Sequence, residues 1–162
     1  MNLARSIPEL QKHFSQGRFL IGGSGPLAEN MIEAIGKDNL GRVSMPGWIN
    51  HQDLPEYLKE LRLLILPSYT EGLPNIMLEA MACGAVVLAT PVGAISDYIK
   101  DNETGFLLQD NSPRCIVENA IRALESPELD RIADNARSLV EREFSYEVAM
   151  KSWQSALECI EG

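Results

Sequence analysis

Short apolar runs alternate with amphipathic stretches along most of this chain. The central stretch begins with an apolar run at 63–66, continues through a polar loop into a helical pattern over 75–84, and ends with an apolar run at 85–89. Such apolar runs are typical of parallel strands that are covered on both faces. The loop after the first run is therefore expected at the carboxyl edge of a sheet, where ligands bind in this architecture.

The same alternation extends to the rest of the chain. A helix over 3–14 is expected to kink or restart at Pro8. Further strands are expected at 18–21, 42–45 and 105–108, and further helices at 27–36, 53–61, 92–99, 112–125, 127–142 and 145–161. The expected helix caps are Asp53, Asn75, Ser112, Ser126 and Ser145. The pattern predicts one α/β domain over 1–162, built on a single doubly wound parallel sheet.

Composition and charge narrow the range of partners. The chain has 162 residues, 45% of them hydrophobic, and a net charge of −9, which argues against nucleic acid or an anionic membrane as a broad partner. Cys83, Cys115 and Cys159 lie far apart among apolar residues and are expected to be buried, reduced thiols. We find no secretory segment, so a cytoplasmic protein is expected, with room for a peripheral position at the inner membrane face in a full-length context.

A glycine-rich turn follows the first expected strand. Gly23, Ser24 and Gly25 precede Pro26 at a plausible helix start. This turn could let the backbone approach a phosphate or a base closely, or it could be only a turn. It is not the dinucleotide fingerprint, because Ala28 stands where the third glycine is required.

Two carboxylates flank the start of the central helix. The free amides at Asn75 would suit an anionic diphosphate, and Gly72 would let the loop backbone come close to that ligand. Glu79 lies about 6 Å further along the helix axis, where it could accept hydrogen bonds from a ribose diol. Glu71 could hold hydroxyl groups of an attached sugar. Alternatively, Glu79 only complements the helix dipole and Glu71 is solvated.

Two further residues have open roles. Trp48 is either a core or rim residue or a stacking platform, and His51 is either a cap or surface residue or a catalyst. No cluster of His, Cys and Asp has the spacing of metal ligands, so no metal site is predicted.

The stretch PSYTEGLPNIMLEAMACGAVVLATPVG resembles the donor-binding signature of the family-four (group 1) retaining glycosyltransferases of GT-B architecture. LIGGSGP, VSMPGWINHQDLPEYL, DNETGFLL and the closing FSYE segment follow the family's order, so the resemblance covers almost the whole chain. It implies one Rossmann-like half of a GT-B fold, in which 145–161 is a crossover-type helix. It also implies sugar transfer from a nucleoside diphosphate, without a metal or other cofactor.

The resemblance also implies roles for individual residues. Glu79 would hold the ribose and Glu71, the candidate catalytic residue, the donor sugar. The Trp48-Ile49 loop would contact the nucleobase, and Gly23, Ser24 and Gly25 would shape the nucleotide pocket. The remaining substrate-binding residues would offer backbone amides to sugar and phosphate: Gly72, Leu73, Asn75 and Ile76.

The chain also departs from the family pattern. An earlier strand with an Arg and a Lys, and the N-terminal acceptor domain, have no counterpart in these residues. We therefore expect the isolated chain to bind a nucleoside diphosphate sugar without transferring it. An apolar stripe on the last helix could reach the missing domain or form a homo-oligomer. A non-catalytic nucleotide-binding or interaction module and a sugar-nucleotide epimerase remain the alternatives.

Overall fold

The computed structural model describes residues 1–161, with side chains up to Glu158. Within that range, five strands alternate with eight α-helices. The strands are Phe19–Gly22 (β1), Val43–Gly47 (β2), Leu63–Leu66 (β3), Val86–Ala89 (β4) and Phe106–Leu107 (β5). The helices are Asn2–His13 (α1), Ala28–Ile35 (α2), Leu54–Lys59 (α3), Asn75–Ala82 (α4), Ile95–Tyr98 (α5), Pro113–Leu124 (α6), Leu129–Phe144 (α7) and Tyr146–Glu161 (α8), with a 3-10 helix at Lys37–Arg42.

All strand pairs are parallel, which confirms the predicted α/β class. The strands nevertheless form two hydrogen-bonded groups rather than one continuous sheet. β1 pairs with β2, and β4 lies between β3 and β5. No backbone hydrogen bond joins β1 to β3 among residues 1–161. Sequence periodicity identifies strands but carries no information on which strands are neighbours, so it could not predict this division.

The three-stranded group is covered by helices on both faces. Helix α1 packs on α6 on one side, and α4 packs on α7 on the other. Strand β4 is fully buried between these layers: Val86 and Leu88 enter the core cluster on the α6 side, and Val87 and Ala89 enter the cluster on the α4 side. Alternation of side chains to two apolar faces explains why β4 reads as an unbroken apolar run.

Two of the predicted caps are confirmed. The Ser112 hydroxyl accepts a hydrogen bond from the Cys115 amide at 3.2 Å, and the Ser145 hydroxyl accepts one from the Val148 amide at 3.4 Å. Both serines are followed by a helix whose first amides lack partners within the helix, so each side chain satisfies one of them.

The other three predicted caps are not made by their side chains. Asp53 does occupy the capping position of α3, but its backbone is helical (φ −90°, ψ −20°) and its side chain makes no capping hydrogen bond. Asn75 is the first helical residue, and Pro74 occupies the capping position with no side-chain acceptor. The Ser126 hydroxyl accepts from the Glu128 amide at 3.3 Å, so Ser126 belongs to a turn and α7 begins only at Leu129.

Helix α1 continues through Pro8 as a single element, so the helix does not restart there. Pro8 removes one backbone hydrogen bond, and the buried side chains of Ala4, Ile7 and Leu10 on its two sides hold the helix against the core. The guanidinium of Arg42 then satisfies the end of α1, because it donates to the carbonyl oxygens of Gln11, Phe14 and Ser15.

Three smaller predictions also need correction or comment. The helix expected at 92–99 is only the single turn α5. Of the cysteines that were expected to be buried, Cys115 is buried and Cys83 is half-buried. Helix α8 leaves four large apolar residues of its stripe exposed: Tyr146, Met150, Trp153 and Leu157. The side chains of Cys159 and Ile160 lie outside the described ones. No helix in the described range is long and apolar enough to cross a membrane.

Candidate functional site

The loops that follow β1, β2 and β3, together with the start of helix α4, carry the predicted site residues, and they meet at the carboxyl edge of the two strand groups. Strands within each group are parallel, so their carboxyl ends share an edge. A contact between Glu79 and His51 joins the loop of the first group to helix α4 beside the second group. The two edges therefore lie next to each other.

The loops after β1 and β2 are packed together. The Gly23 amide donates to the Gly47 carbonyl oxygen at 2.8 Å. Ile49 lies against Gly22 so closely that a Cβ atom at Gly22 would sit 3.1 Å from its terminal methyl group. Gly23 has φ +120°, a conformation that requires glycine, while Ser24 and Gly25 are exposed. This arrangement places the glycine turn beside the Trp48-Ile49 loop, as predicted.

Trp48 is a surface residue with 75% of its area exposed, which rules out a place in the core. An indole exposed to this degree beside a glycine turn is accessible to a planar ligand. A rim position and a stacking platform both agree with this exposure.

Glu79 contacts a partner that sequence reasoning did not find. Its Oε1 lies 3.2 Å from Nε2 of His51, which is itself 87% exposed. His51 is thus a surface residue, which was one of the two alternatives predicted for it, and it also bridges the β2 loop and helix α4. The two residues are separated by 28 positions, and no local spacing rule could have paired them.

A chain of hydrogen bonds holds the Glu71 side chain in place. The Ser68 hydroxyl donates to Glu71 Oε1 at 2.7 Å, and the hydroxyl of Thr90, which is only 6% exposed, donates to the Ser68 carbonyl oxygen at 2.5 Å. The loop after β4 adds a further clamp, because the Ala94 amide donates to the Gly72 carbonyl oxygen at 2.9 Å. The Glu71 carboxylate is therefore positioned by two strand-end loops together.

Gly93 makes this clamp possible. It has φ +58°, and a Cβ atom there would collide with the carbonyl oxygens of Glu71 and Gly72. The close approach of the two loops therefore requires a residue without a side chain. Sequence reasoning missed Ser68, Thr90 and Gly93 as supports of the site, although a glycine two residues after a proline was a local signal of a tight turn.

The start of helix α4 is open to a ligand. Its first backbone bond is donated by Met77 to the Pro74 carbonyl oxygen at 3.0 Å, so the Asn75 and Ile76 amides precede it. The side chains of Leu73 and Ile76 pack against the core cluster on the α4 side. Their backbone amides can therefore serve a ligand without a change in side-chain packing.

Not every predicted residue pair is in contact. Among residues 1–161, no hydrogen bond joins the turn at Gly23, Ser24 and Gly25 to the Glu71 loop, and neither Glu71 nor Glu79 is paired with a Lys or Arg. A groove of about 790 Å³ in the described part of the chain contains none of the predicted site residues. The candidate site is thus an open surface that carries the two carboxylates of Glu71 and Glu79 and the uncapped start of helix α4. We call this surface the shelf.

The fold is that of one Rossmann-like half of a GT-B glycosyltransferase. The structure is similar to sucrose-phosphate synthase from Thermosynechococcus elongatus, with a TM-score of 0.82 at 25% identity over 99% of this chain and 43% of that one. It is also similar to the pneumococcal O-GlcNAc transferase solved with UDP and GlcNAc, with a TM-score of 0.84 at 18% identity over 99% of this chain and 33% of that one.

A third solved structure consists of a C-terminal domain alone. It comes from a glycosyl transferase group 1 family protein of Francisella tularensis, with a TM-score of 0.75 at 24% identity. The match covers 90% of this chain and 78% of that one.

The chain belongs to the family described as glycosyl transferases group 1, whose model matches residues 1–126. Among curated relatives, it is 29% identical to the alpha-D-kanosaminyltransferase of Streptomyces kanamyceticus over 143 residues, which is 87% of this chain and 37% of that protein. The chain spans less than half the length of the curated relatives that it matches.

Proposed function

We propose that this chain binds the nucleoside diphosphate sugar donor of a retaining glycosyltransferase, on the shelf at the carboxyl edge of its strands. One observation carries the proposal. Helix α4 presents the uncapped amides of Asn75 and Ile76 at its start and the Glu79 carboxylate about one turn later. Amides suit a diphosphate, and a carboxylate suits a ribose diol, so one short helix meets both requirements.

The other residues complete the proposed donor site. Glu71 accepts hydrogen bonds from hydroxyl groups of the donor sugar, and the amides of Gly72 and Leu73 line the path between sugar and phosphate. The pneumococcal neighbour was solved with UDP and GlcNAc, which supports a ligand of this class. Because both carboxylates lack a Lys or Arg partner in the described range, the diphosphate must lie toward the helix start and away from them.

The nucleobase occupies the other end of the shelf in this proposal. The Trp48-Ile49 loop contacts the base, and Gly23, Ser24 and Gly25 shape the pocket around the nucleotide. When the ligand binds, the ribose hydroxyls take the place of His51 as partners of Glu79, or share Glu79 with it.

In a complete enzyme, the reaction would transfer the sugar to an acceptor hydroxyl with retention at the anomeric carbon. The residues on this shelf would position the donor and stabilise the leaving diphosphate. Holding the sugar is the role that fits Glu71, because the hydrogen bond from Ser68 already engages one of its oxygens. As an isolated polypeptide, residues 1–162 are expected to bind donor weakly and to transfer no sugar.

A second candidate is a non-catalytic nucleotide-binding module. The Arg and Lys that neutralise the diphosphate in the family pattern have no counterpart in these residues, and this favours the second candidate. Radiolabelled donor with a panel of acceptors tests the expectation, common to both candidates, that this chain alone transfers no sugar. Transfer at around 1 per second or faster would show that this chain is sufficient as an enzyme.

The binding claim can be tested with the protein's own fluorescence. The chain contains two tryptophans, so Trp153→Phe on α8 leaves Trp48 as the single reporter at the shelf. Titration with uridine, guanosine and adenosine diphosphates should change Trp48 emission for the preferred base, and calorimetry should give the same affinity.

Glu79→Ala should weaken that affinity by about 1–3 kcal/mol, the range for a lost charged hydrogen bond. Glu9→Ala, at an exposed position on α1, is the matched control and should leave the affinity unchanged. Equal affinity in wild type and Glu79→Ala would remove Glu79 from the site. A large fall in melting temperature would instead give Glu79 a structural role.

A further inference from the structure

His51 and Glu79 bring a hydrogen-bond donor and an acceptor together on the shelf. A carboxylate can only accept hydrogen bonds, so the 3.2 Å contact between His51 Nε2 and Glu79 Oε1 requires the hydrogen of the imidazole to lie on Nε2. The donor belongs to the loop after β2, and the acceptor belongs to helix α4. A ligand that reaches the Glu79 carboxylate therefore also comes close to an N–H group.

The two side chains are held with different firmness. Glu79 lies on α4 between the fully buried residues Met77 and Ala80, and only 32% of its side chain is exposed. The side chain of His51 is 87% exposed and, within the described residues, has no hydrogen-bonding partner other than Glu79. Exposed pairs of this kind contribute little to stability, so a ligand can separate the two groups by movement of the imidazole alone.

A ribose hydroxyl group matches this pair. In the proposed donor site, the ribose diol donates hydrogen bonds to Glu79, but a hydroxyl oxygen also carries lone pairs that accept hydrogen bonds. A polar group that loses water on binding without gaining a partner weakens binding. The N–H group of His51 can supply that partner, because it already lies within hydrogen-bonding distance of the carboxylate that the diol approaches.

The position of His51 along the chain agrees with contact to the ribose. His51 follows the Trp48-Ile49 pair by two residues, and this pair contacts the nucleobase in the proposed site. Base and ribose are joined covalently, so one short loop can contact both. A turn holds this loop in place, because the amides of Asp53 and Leu54 both donate to the Asn50 carbonyl oxygen at 3.0 Å.

We propose that His51 is a further donor-binding residue, which donates a hydrogen bond to a ribose hydroxyl group and makes the site select ribonucleotides over deoxyribonucleotides. On binding, one hydroxyl oxygen comes between the two side chains, accepts from Nε2 of His51 and donates to the carboxylate of Glu79. The imidazole withdraws to admit the hydroxyl group, and Glu79 stays in place. This inference rests on the proposed nucleoside diphosphate site.

The test compares nucleotides with and without each ribose hydroxyl group. The uridine, guanosine or adenosine diphosphate that binds most tightly is titrated beside its 2′-deoxy and 3′-deoxy forms. Calorimetry is the readout, since a change at His51 could itself alter the emission of Trp48. His13→Ala is the matched control, because His13 Nε2 also contacts a glutamate, Glu125 Oε1 at 2.7 Å, but His13 lines the groove that contains no predicted site residue.

In the wild type and in His13→Ala, loss of the contacted hydroxyl group should weaken binding by about tenfold or more, as expected for a charged hydrogen bond. His51→Ala should weaken binding of the ribonucleotide by about three- to tenfold and leave binding of the corresponding deoxynucleotide nearly unchanged. His51→Gln should recover part of this loss, because its amide can also donate. Melting temperatures should agree among these variants, since the side chain of His51 is exposed.

Tighter binding of the ribonucleotide by His51→Ala would show that His51 only competes with the ribose for Glu79, and this would overturn the proposal. An equal loss for the ribonucleotide and the deoxynucleotides would overturn it as well. His51→Ala is also made together with Glu79→Ala. A direct contact predicts a further loss of about twofold or more in the double variant, whereas no further loss would show that His51 acts only through Glu79 and would refute the contact.

Failure of the donor site gives a different result from failure of the His51 contact. If no nucleoside diphosphate binds the wild type, or if Glu79→Ala binds as well as the wild type, the proposed donor site and the role of His51 are both refuted. If Glu79→Ala loses affinity as expected and His51→Ala does not, only the role of His51 is refuted.

Discussion

Gly93→Ala should destabilise the fold and displace the Glu71 loop. Gly93 has φ +58°, and holding a residue with a side chain in the left-handed region costs about 1–3 kcal/mol. The new Cβ atom would also collide with the carbonyl oxygens of Glu71 and Gly72. Relief of that collision must break or weaken the hydrogen bond from the Ala94 amide to Gly72, which adds about 0.5–1.5 kcal/mol.

The expected total for Gly93→Ala is about 2–4 kcal/mol. For a domain of this size, such a loss lowers the melting temperature by roughly 4–16 °C. Gly84→Ala is the matched control, because Gly84 also has a positive φ (+86°) but open space around the Cβ position. Gly84→Ala should therefore show the backbone strain alone.

Urea denaturation of the wild type and both variants gives the three free energies of unfolding. Gly93→Ala must be the more destabilised variant, and it should also lose affinity for the donor nucleotide, which Gly84→Ala should retain. Equal losses of stability in the two variants would show that the close approach of the 90–94 loop to Glu71 does not constrain the fold.

Three further predictions concern other parts of the chain. His51→Ala should change the free energy of unfolding by less than about 1 kcal/mol, measured by urea denaturation, because its contact with Glu79 is largely exposed. The two hydrogen bonds that Arg122 donates lower the pKa of Asp101. This carboxylate therefore stabilises the fold fully above its unfolded pKa of about 3.9, and the stabilisation is lost as the pH falls through the lower folded pKa. Asp101→Asn should flatten the dependence of the free energy of unfolding on pH below about pH 4. If α8 mediates self-association, sedimentation should show a concentration-dependent homo-oligomer that Trp153→Glu abolishes, and a monomer at all concentrations would contradict this prediction.

Much of the local structure could be predicted from the sequence because its causes are local. The apolar runs at β3 and β4 predicted two buried parallel strands, and the serines before α6 and α8 predicted helix starts. Asn75 and Ser126 have the same capping chemistry but failed as predictions. Pro74 takes the capping position before Asn75, and a turn at Ser126 delays the start of α7 to Leu129.

The structural features that could not be predicted depend on contacts between residues that are distant in sequence. Thr90 reaches Ser68 across 22 positions, and His51 reaches Glu79 across 28, so neither contact leaves a periodic signal. The separation of β1 from β3 is of the same kind. An apolar strand has the same sequence pattern whether its edge is paired or borders a groove.

The hydrogen bonds beneath Glu71 have a thermodynamic consequence. Thr90 fixes the Ser68 backbone, and Ser68 in turn fixes the carboxylate, before any ligand arrives. The conformational entropy of this side chain is thus given up during folding, which spares the association step about 0.5–1.5 kcal/mol for one immobilised side chain. Ser68→Ala would return that freedom to the Glu71 side chain. The enthalpy of donor binding to this variant should stay close to that of the wild type, while the entropy of binding becomes less favourable.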